Sequence, residues 1–231
     1  MLVLFPEGFE EAERDDQIEL AAYTTVAGEE RARSEFGDVR SIDVDPDWDE
    51  RWKAFHRGAR IAGLWVGPPW QEPPGDVPAV IIDPGRAFGT GSHPTTRLCI
   101  EHLAELPRGS LLDLGCGSGV LSIAAAKLGF SPIVALDVER AAVEAAARNC
   151  AANDVAVDVR DADVLGEQLP EVETAVANIN AAKVAEVGGR VRCRALVTSG
   201  YFEPHVPDLD GYRRAARRTR EGWAADLYVP Q

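Results

Sequence analysis

The chain has 231 residues and a formal net charge of -14, with 45% hydrophobic and 27% charged residues. That length holds one full α/β domain plus a small appendage, with the balance of an ordinary globular protein. The charge excludes a surface built for duplex nucleic acid and favours a basic protein partner, although acidity by itself also confers solubility.

In chain order, residues 1–5 (Met-Leu-Val-Leu-Phe) run at once into Pro6 and acidic residues, which is not a secretory signal. No later apolar run approaches the ~20 residues that span a bilayer. Residues 17–25 alternate as a strand does, after a turn at Asp15-Asp16. Residues 28–36 read as a short polar helix, and residues 39–44 as another strand. Asp45-Pro46 opens a helix carrying Trp48, Trp52 and Phe55 on one face, an aromatic stripe expected to pack between domains. Residues 61–66 are strand-like, residues 67–75 form a proline-rich bend, and residues 79–82 lead into a glycine-rich loop.

That loop runs from Asp83 to Thr96 and contains Phe88-Gly89-Thr90-Gly91, too rich in glycine for regular structure. Pro94 suits the first turn of a helix continuing through Leu98, Cys99, His102, Leu103 and Leu106. The hydroxyls of Thr95 and Thr96 then lie near free N–H groups at a helix start. Next comes Leu111-Leu112-Asp113-Leu114-Gly115-Cys116-Gly117-Ser118-Gly119, followed by a helix over Val120–Leu128. An apolar strand turns on three glycines spaced two apart, so that the backbone can approach a ligand at a helix N-terminus. A dinucleotide site usually reads G-x-G-x-x-G. The G-x-G-x-G form seen here suits S-adenosylmethionine, which has no pyrophosphate to cradle. Cys116 inside the turn reads as a small packing residue.

Residues 133–136 form a second strand that stops at Asp137, 22 residues beyond Gly115. A carboxylate there accepts hydrogen bonds from both ribose hydroxyls, though an acid in that place also caps helices. An alanine-rich helix over 140–150 ends at Asn153, and residues 156–160 make a third strand with Asp161 and Asp163 at its end. Residues 174–179 make a fourth strand ending in Asn178-Ile179-Asn180, with the Asn178 carboxamide in the crevice where open α/β sheets bind ligands. A fifth strand covers 195–199. Residues 212–221 stay open between an exposed arginine-rich helix and a strand, and residues 223–229 read as an antiparallel partner after a Glu221-Gly222 turn. Cys99, Cys116, Cys150 and Cys193 are scattered without metal-ligand spacing and read as reduced thiols of a cytoplasmic protein.

The string FGTGSHPTT, followed by LLDLGCGSG, an acidic second-strand tip and NIN, resembles the PrmA family. Those enzymes methylate large-subunit ribosomal protein eleven and are class I methyltransferases. The resemblance implies an α/β Rossmann-like sheet, mostly parallel with an antiparallel last strand, and a strand over 212–221. It also implies a small ferredoxin-like α+β domain at the N-terminus, which is truncated here. The corresponding division is a recognition domain over 1–45, a linker helix and strand over 46–78, and a methyltransferase domain over 79–231. Carried over by position, the cofactor contacts fall on Thr96, Gly115, Asp137 and Asn178, with Gly117 in the same turn. Class I enzymes often meet the adenine amino group with an acid after the third strand, and Asp161 and Asp163 both qualify.

The chain departs from the family where Asn180 replaces an aliphatic residue, and where a short 178–199 segment leaves a helix of a turn or two. The activity implied is methyl transfer from S-adenosylmethionine to lysine or other amino groups of that ribosomal protein. The acceptor amine must lose a proton from a reference pKa of about 10.4, and no dedicated base stands out. His93 is a candidate base that reads more readily as a loop cap, while Asn178 and Asn180 are candidates to orient the nucleophile. The same cofactor site would serve a methyltransferase of another protein or of a small molecule, or a binding module without turnover. No metal, membrane or direct nucleic-acid partner is expected.

Overall fold

The structure, a computed structural model, describes residues 10–14, 17–21, 26–37, 39–40, 57–83, 91–166 and 168–231. The chain divides into two compact units, Met1–Arg51 and Trp52–Gln231. In the first, strands β1 (Glu10–Arg14) and β2 (Gln17–Ala21) pair antiparallel with Arg14 opposite Gln17. Helix α1 follows over Val26–Phe36, where Glu29 and Arg33, one turn apart, form an ion pair at 3.0 Å. β1 went unread in the sequence because Glu-Glu-Ala-Glu-Arg has low strand propensity; pairing with β2 makes it a strand. Helix α1 starts two residues earlier than expected, and Val39 and Arg40 belong to no element. Residues 1–5, most of the strand expected over 39–44, and the aromatic helix opened by Asp45-Pro46 lie outside the described residues.

The second unit opens with a three-stranded sheet of β3 (Ala59–Ile61), β4 (Leu64–Gly67) and β5 (Ala79–Ile81). The single strand expected over 61–66 is a hairpin. Ala62 and Gly63 both take positive φ, 48° and 83°, and reverse the chain in two residues. An apolar run alone does not report such a turn.

The main sheet has seven strands: β6 (Leu111–Leu114), β7 (Ile133–Asp137), β8 (Asp158–Asp161), β9 (Thr174–Asn178), β10 (Ala195–Phe202), β11 (Tyr212–Arg220) and β12 (Trp223–Pro230). Their order is β11-β12-β10-β9-β6-β7-β8. Strands β6 to β10 run parallel, and β12 lies antiparallel between β10 and β11. Strand alternation sends Leu111, Val176 and Val197 into one core and Leu112, Leu114 and Leu196 into another. The first core takes residues of helices α2 (Pro94–Glu105), α3 (Val120–Leu128) and α4 (Arg140–Ala152), and the second takes Val184 and Val187 of α5 (Ala181–Gly188). Both sheet faces are therefore buried, and the inner strands read as continuous apolar runs. Helix α5 has two turns, as the shortened 178–199 segment suggested.

The alternatives left open for residues 212–221 resolve to a strand. In that form several of its arginines meet acids. Arg217 forks onto Asp226 of β12 with both nitrogen–oxygen distances at 2.8 Å, while Arg218 and Arg220 reach Glu105 and Glu101 of α2. The Asp226 carboxylate is fully buried and also accepts the Tyr201 hydroxyl at 2.9 Å. Arg217 donates further to the carbonyls of Glu203 and His205, which ties the following loop to the sheet. Removing one partner of a buried pair leaves the other charge uncompensated. Asp226→Ala is therefore expected to cost about 3–5 kcal/mol in urea denaturation, more than Arg218→Ala at the exposed rim.

Candidate active site at the ends of the parallel strands

Strand order reverses at β6, which has β7 on one side and β9 on the other. In an open α/β sheet the crevice outside the carboxyl ends of such strands is the ligand site. A cleft of about 260 Å³ opens there, and Thr96, Gly115, Gly117, Asp137 and Asn178 all line it. The five residues picked from the sequence thus converge on one cavity. A shallower depression of about 510 Å³ at the other end of the sheet, bounded by Ser110, Glu173, Cys193 and Tyr212, holds none of them.

The glycine turn is built by backbone constraint. Gly115, Gly117 and Gly119 all have positive φ, at 73°, 55° and 81°. A Cβ on Gly115 would sit 2.6 Å from Ile179 Cγ2, so the turn closes against the end of β9 only without a side chain. The N–H groups of Gly115 and Cys116 both donate to the Leu136 carbonyl, at 2.8 and 3.0 Å. Asp137, at the tip of β7, accepts the Gly117 N–H on Oδ2 and the Glu139 N–H on Oδ1, each at 2.9 Å. Two backbone donors fix this carboxylate, and each oxygen keeps capacity for a further bond.

Across the cleft, Thr96 sits in the first turn of α2 with no exposed surface, and Asn178 closes β9. Among the described residues, Thr96 Oγ1 and Asn178 Oδ1 are buried without a hydrogen-bond partner. Buried polar atoms in native structures are paired, so two orphans on one cleft wall call for a polar ligand. Of the two acids at the end of β8, Asp163, two residues past the strand, lines the cleft, its Oδ1 accepting the Leu165 N–H at 2.9 Å, whereas Asp161, the strand's last residue, does not line it.

His93 caps α2: its Nδ1 accepts the Thr95 N–H at 3.3 Å and meets Thr95 Oγ1 at 2.7 Å. Burial holds its imidazole below the usual histidine range. Asn180 likewise caps α5, its Oδ1 taking the Lys183 N–H at 2.9 Å. Burial keeps the Cys116 thiol protonated, as fits a packing residue. Of the FGTGSHPTT string, residues 88–90 lie outside the described set.

One residue that sequence reasoning did not single out is Asn149. It donates to the Ser118 carbonyl at 2.9 Å and to the Asp83 carbonyl at 3.4 Å, and accepts the Asp83 N–H at 3.2 Å. One turn on, Asn153 pairs with both the N–H and the carbonyl of Ile81, at 2.8 and 2.6 Å. The only sequence signal was the i, i+4 spacing of two amides at the end of an alanine-rich helix.

The reversed strand order, the antiparallel β12 and the glycine-turn cleft define a Rossmann-like methyltransferase fold. The ribosomal protein L11 methylase of Lactobacillus delbrueckii subsp. bulgaricus superposes with a TM-score of 0.64, over 73% of this chain and 95% of that one, at 23% identity. The family model for ribosomal protein L11 methyltransferase (PrmA) matches residues 9–203. Among curated relatives, a ribosomal protein L11 methyltransferase of Symbiobacterium thermophilum is 40% identical, covering 86% of this chain and 75% of the relative. One of Neisseria meningitidis serogroup A is 37% identical, covering 89% and 74%. The chain belongs to the ribosomal protein L11 methyltransferase (PrmA) family.

Asp113, the penultimate residue of the strand before the glycine turn, is 1% exposed and accepts the Ser122 hydroxyl at 2.6 Å. Burial pushes its carboxyl up to about 6, against the smaller pull of Ser122. A pKa raised on folding adds stability below the ordinary carboxylate range and loses it as pH rises through about 6. Asp113→Asn keeps the Ser122 bond without the buried charge. In denaturant titrations it is expected to match the wild type near pH ~4 and to exceed it by on the order of 1–3 kcal/mol near pH ~8.

Proposed function

We propose that this chain transfers methyl groups from S-adenosylmethionine to lysine or other amino groups of ribosomal protein L11. The observation that carries the reading is the pair of orphaned polar atoms, Thr96 Oγ1 and Asn178 Oδ1, in the cleft whose opposite lip is Asp137. Together with the side-chain-free turn at Gly115 and Gly117, these residues fit a nucleoside with a charged amino-acid end. When bound, S-adenosylmethionine supplies a methyl group on a sulfonium, which an amine takes up by displacement. Asp137 accepts the ribose hydroxyls with the capacity its backbone donors leave free. Asn178 Oδ1 takes a donor from the amino-acid end or the incoming amine, and Thr96 Oγ1 completes that wall. Asp163 is the acid placed for the adenine amino group. Apolar walls from Val120 and Leu121 keep water from the reacting end and lower the basicity of an entering lysine.

In this reading residues 79–231 are the catalytic domain, residues 46–78 a linker, and residues 1–45 belong to a ferredoxin-like recognition domain. The net charge of -14 complements a basic protein acceptor and disfavours direct nucleic-acid binding. No described helix is long and apolar enough to cross a membrane, in keeping with a cytoplasmic enzyme. The membership of curated ribosomal protein L11 methyltransferases in the same family supports the acceptor.

Intact-mass spectrometry of ribosomal protein L11 incubated with this enzyme and S-adenosylmethionine is expected to show gains of about 14 Da per methyl. No gain alongside normal cofactor binding would replace the acceptor. Asp137→Ala is expected to weaken S-adenosylmethionine binding about 10- to 100-fold in calorimetry. Unchanged affinity would remove the ribose assignment.

A further inference from the structure

Beyond the cofactor cleft, the top of the sheet carries an aromatic surface that no step above uses. Phe202 ends β10 and Trp223 begins β12, and the two are opposite in the antiparallel register. Their rings stack with centroids 4.2 Å apart and planes at 28°. The His93 ring packs edge-on against Trp223 at 4.8 Å. Phe202 nevertheless leaves 52% of its surface exposed, among the largest apolar exposures of the described residues.

Position gives this surface its meaning. His93 caps the helix whose first turn holds Thr96. On the other side, Gly200, two residues before Phe202, has φ +98°, and a Cβ there would sit 2.1 Å from the Ile179 carbonyl oxygen. The chain after Asn178 thus runs directly under the approach to Phe202. The stack stands beside the Thr96–Asn178 wall, away from Asp137 and its ribose position. Two acids adjoin it in the chain. Glu221 forms the hairpin tip at φ 53°, and its carboxylate acts on the His93 imidazole. Glu203 follows Phe202 and donates its N–H to the Gly222 carbonyl at 2.7 Å.

An aromatic face flanked by carboxylates recognises a cation on an apolar stem, because the ring quadrupole and the acids attract the ammonium while the ring covers the methylenes. We propose that the Phe202–Trp223 stack, with Glu203 and Glu221, is the acceptor-binding surface, and that it receives the lysine side chain of the protein substrate beside the cleft. This rests on the reading of the chain as a protein methyltransferase. It assigns acceptor recognition to the junction of β10 and β12 within the catalytic unit. The surface selects for the ammonium form outside the cleft, whose apolar walls then favour the neutral amine.

A fluorescein-labelled peptide with one central lysine, titrated with the full chain and read by anisotropy, tests the surface without turnover. The wild type is expected to bind it several-fold more tightly than a peptide with norleucine at that position. Phe202→Ala is expected to weaken lysine-peptide binding by about fivefold to tenfold, and Phe202→Tyr to restore it. Calorimetric affinity of Phe202→Ala for S-adenosylmethionine should stay within about twofold of wild type, which separates lost recognition from lost fold. Equal lysine-peptide binding by Phe202→Ala and wild type would overturn the proposal, and so would equal binding of the norleucine peptide. The ribosomal protein L11 mass assay reports on the acceptor separately. No mass gain there, with lysine-dependent peptide binding that requires Phe202, would remove that acceptor and leave the surface standing.

Discussion

Two amide side chains on one helix hold the cleft in shape. The segment after β5 and the turn after β6 both present backbone groups that no strand or helix ladder satisfies, and an unpaired buried group of that kind is costly. Asn149 meets them together, bonding the Asp83 N–H and the carbonyls of Asp83 and Ser118, while Asn153 pins Ile81 one turn later. Asn153 also donates to the Asn149 carbonyl at 2.8 Å, and the Lys127 ammonium of α3 donates to the Asn153 carbonyl at 2.7 Å. The glycine turn, the strand leading into the loop and two helices thus share one small network. A change at any member moves the others.

On that frame the cleft divides into a satisfied side and an unsatisfied one. Asp137 is oriented by Gly117 and Glu139, so its carboxylate stands ready at no cost in side-chain freedom. Thr96 Oγ1 and Asn178 Oδ1, on the far wall, keep no partner among the described residues. Such atoms destabilise the protein until something binds them, and a ligand that does so gains what the fold gave up. Asp113, beneath the turn, adds a second reserve of unfavourable electrostatics. The cleft is organised on its Asp137 side and carries its unmet polar atoms on the other.

The far edge of the sheet is finished differently. After β10 the chain crosses over a loop that Arg217 fastens through two carbonyls, then closes the sheet with a β11–β12 hairpin. The arginines of the edge strand point charge outward, which discourages pairing with another sheet. Pairing to Asp226, Glu101 and Glu105 neutralises several of them. The same hairpin sets Trp223 against Phe202, so the element that ends the sheet also shapes the aromatic surface at the end of β10.

Much of this was legible in the residues alone, where the information is local. The apolar strand into G-x-G-x-G, the acid at the next strand tip and the asparagine ending β9 are each fixed by a few neighbouring residues. The five candidate contacts could therefore be named before their convergence was visible. The turn at Ala62-Gly63 left no mark on the apolar pattern, and Glu10–Arg14 becomes a strand only through its partner. The 212–220 arginines were ambiguous because their acids lie on β12 and α2, nine to more than a hundred residues away. Likewise, the choice between Asp161 and Asp163 depends on which way the chain leaves β8, and the role of Asn149 on segments 31 and 66 residues distant. Sequence determined the glycine turn after β6, the Pro94 helix start and the ligand-type residues because each needs only its own neighbours. Tertiary structure decided which atoms were left unpaired and which rings stayed in water, since both depend on residues that meet only when the sheet is assembled.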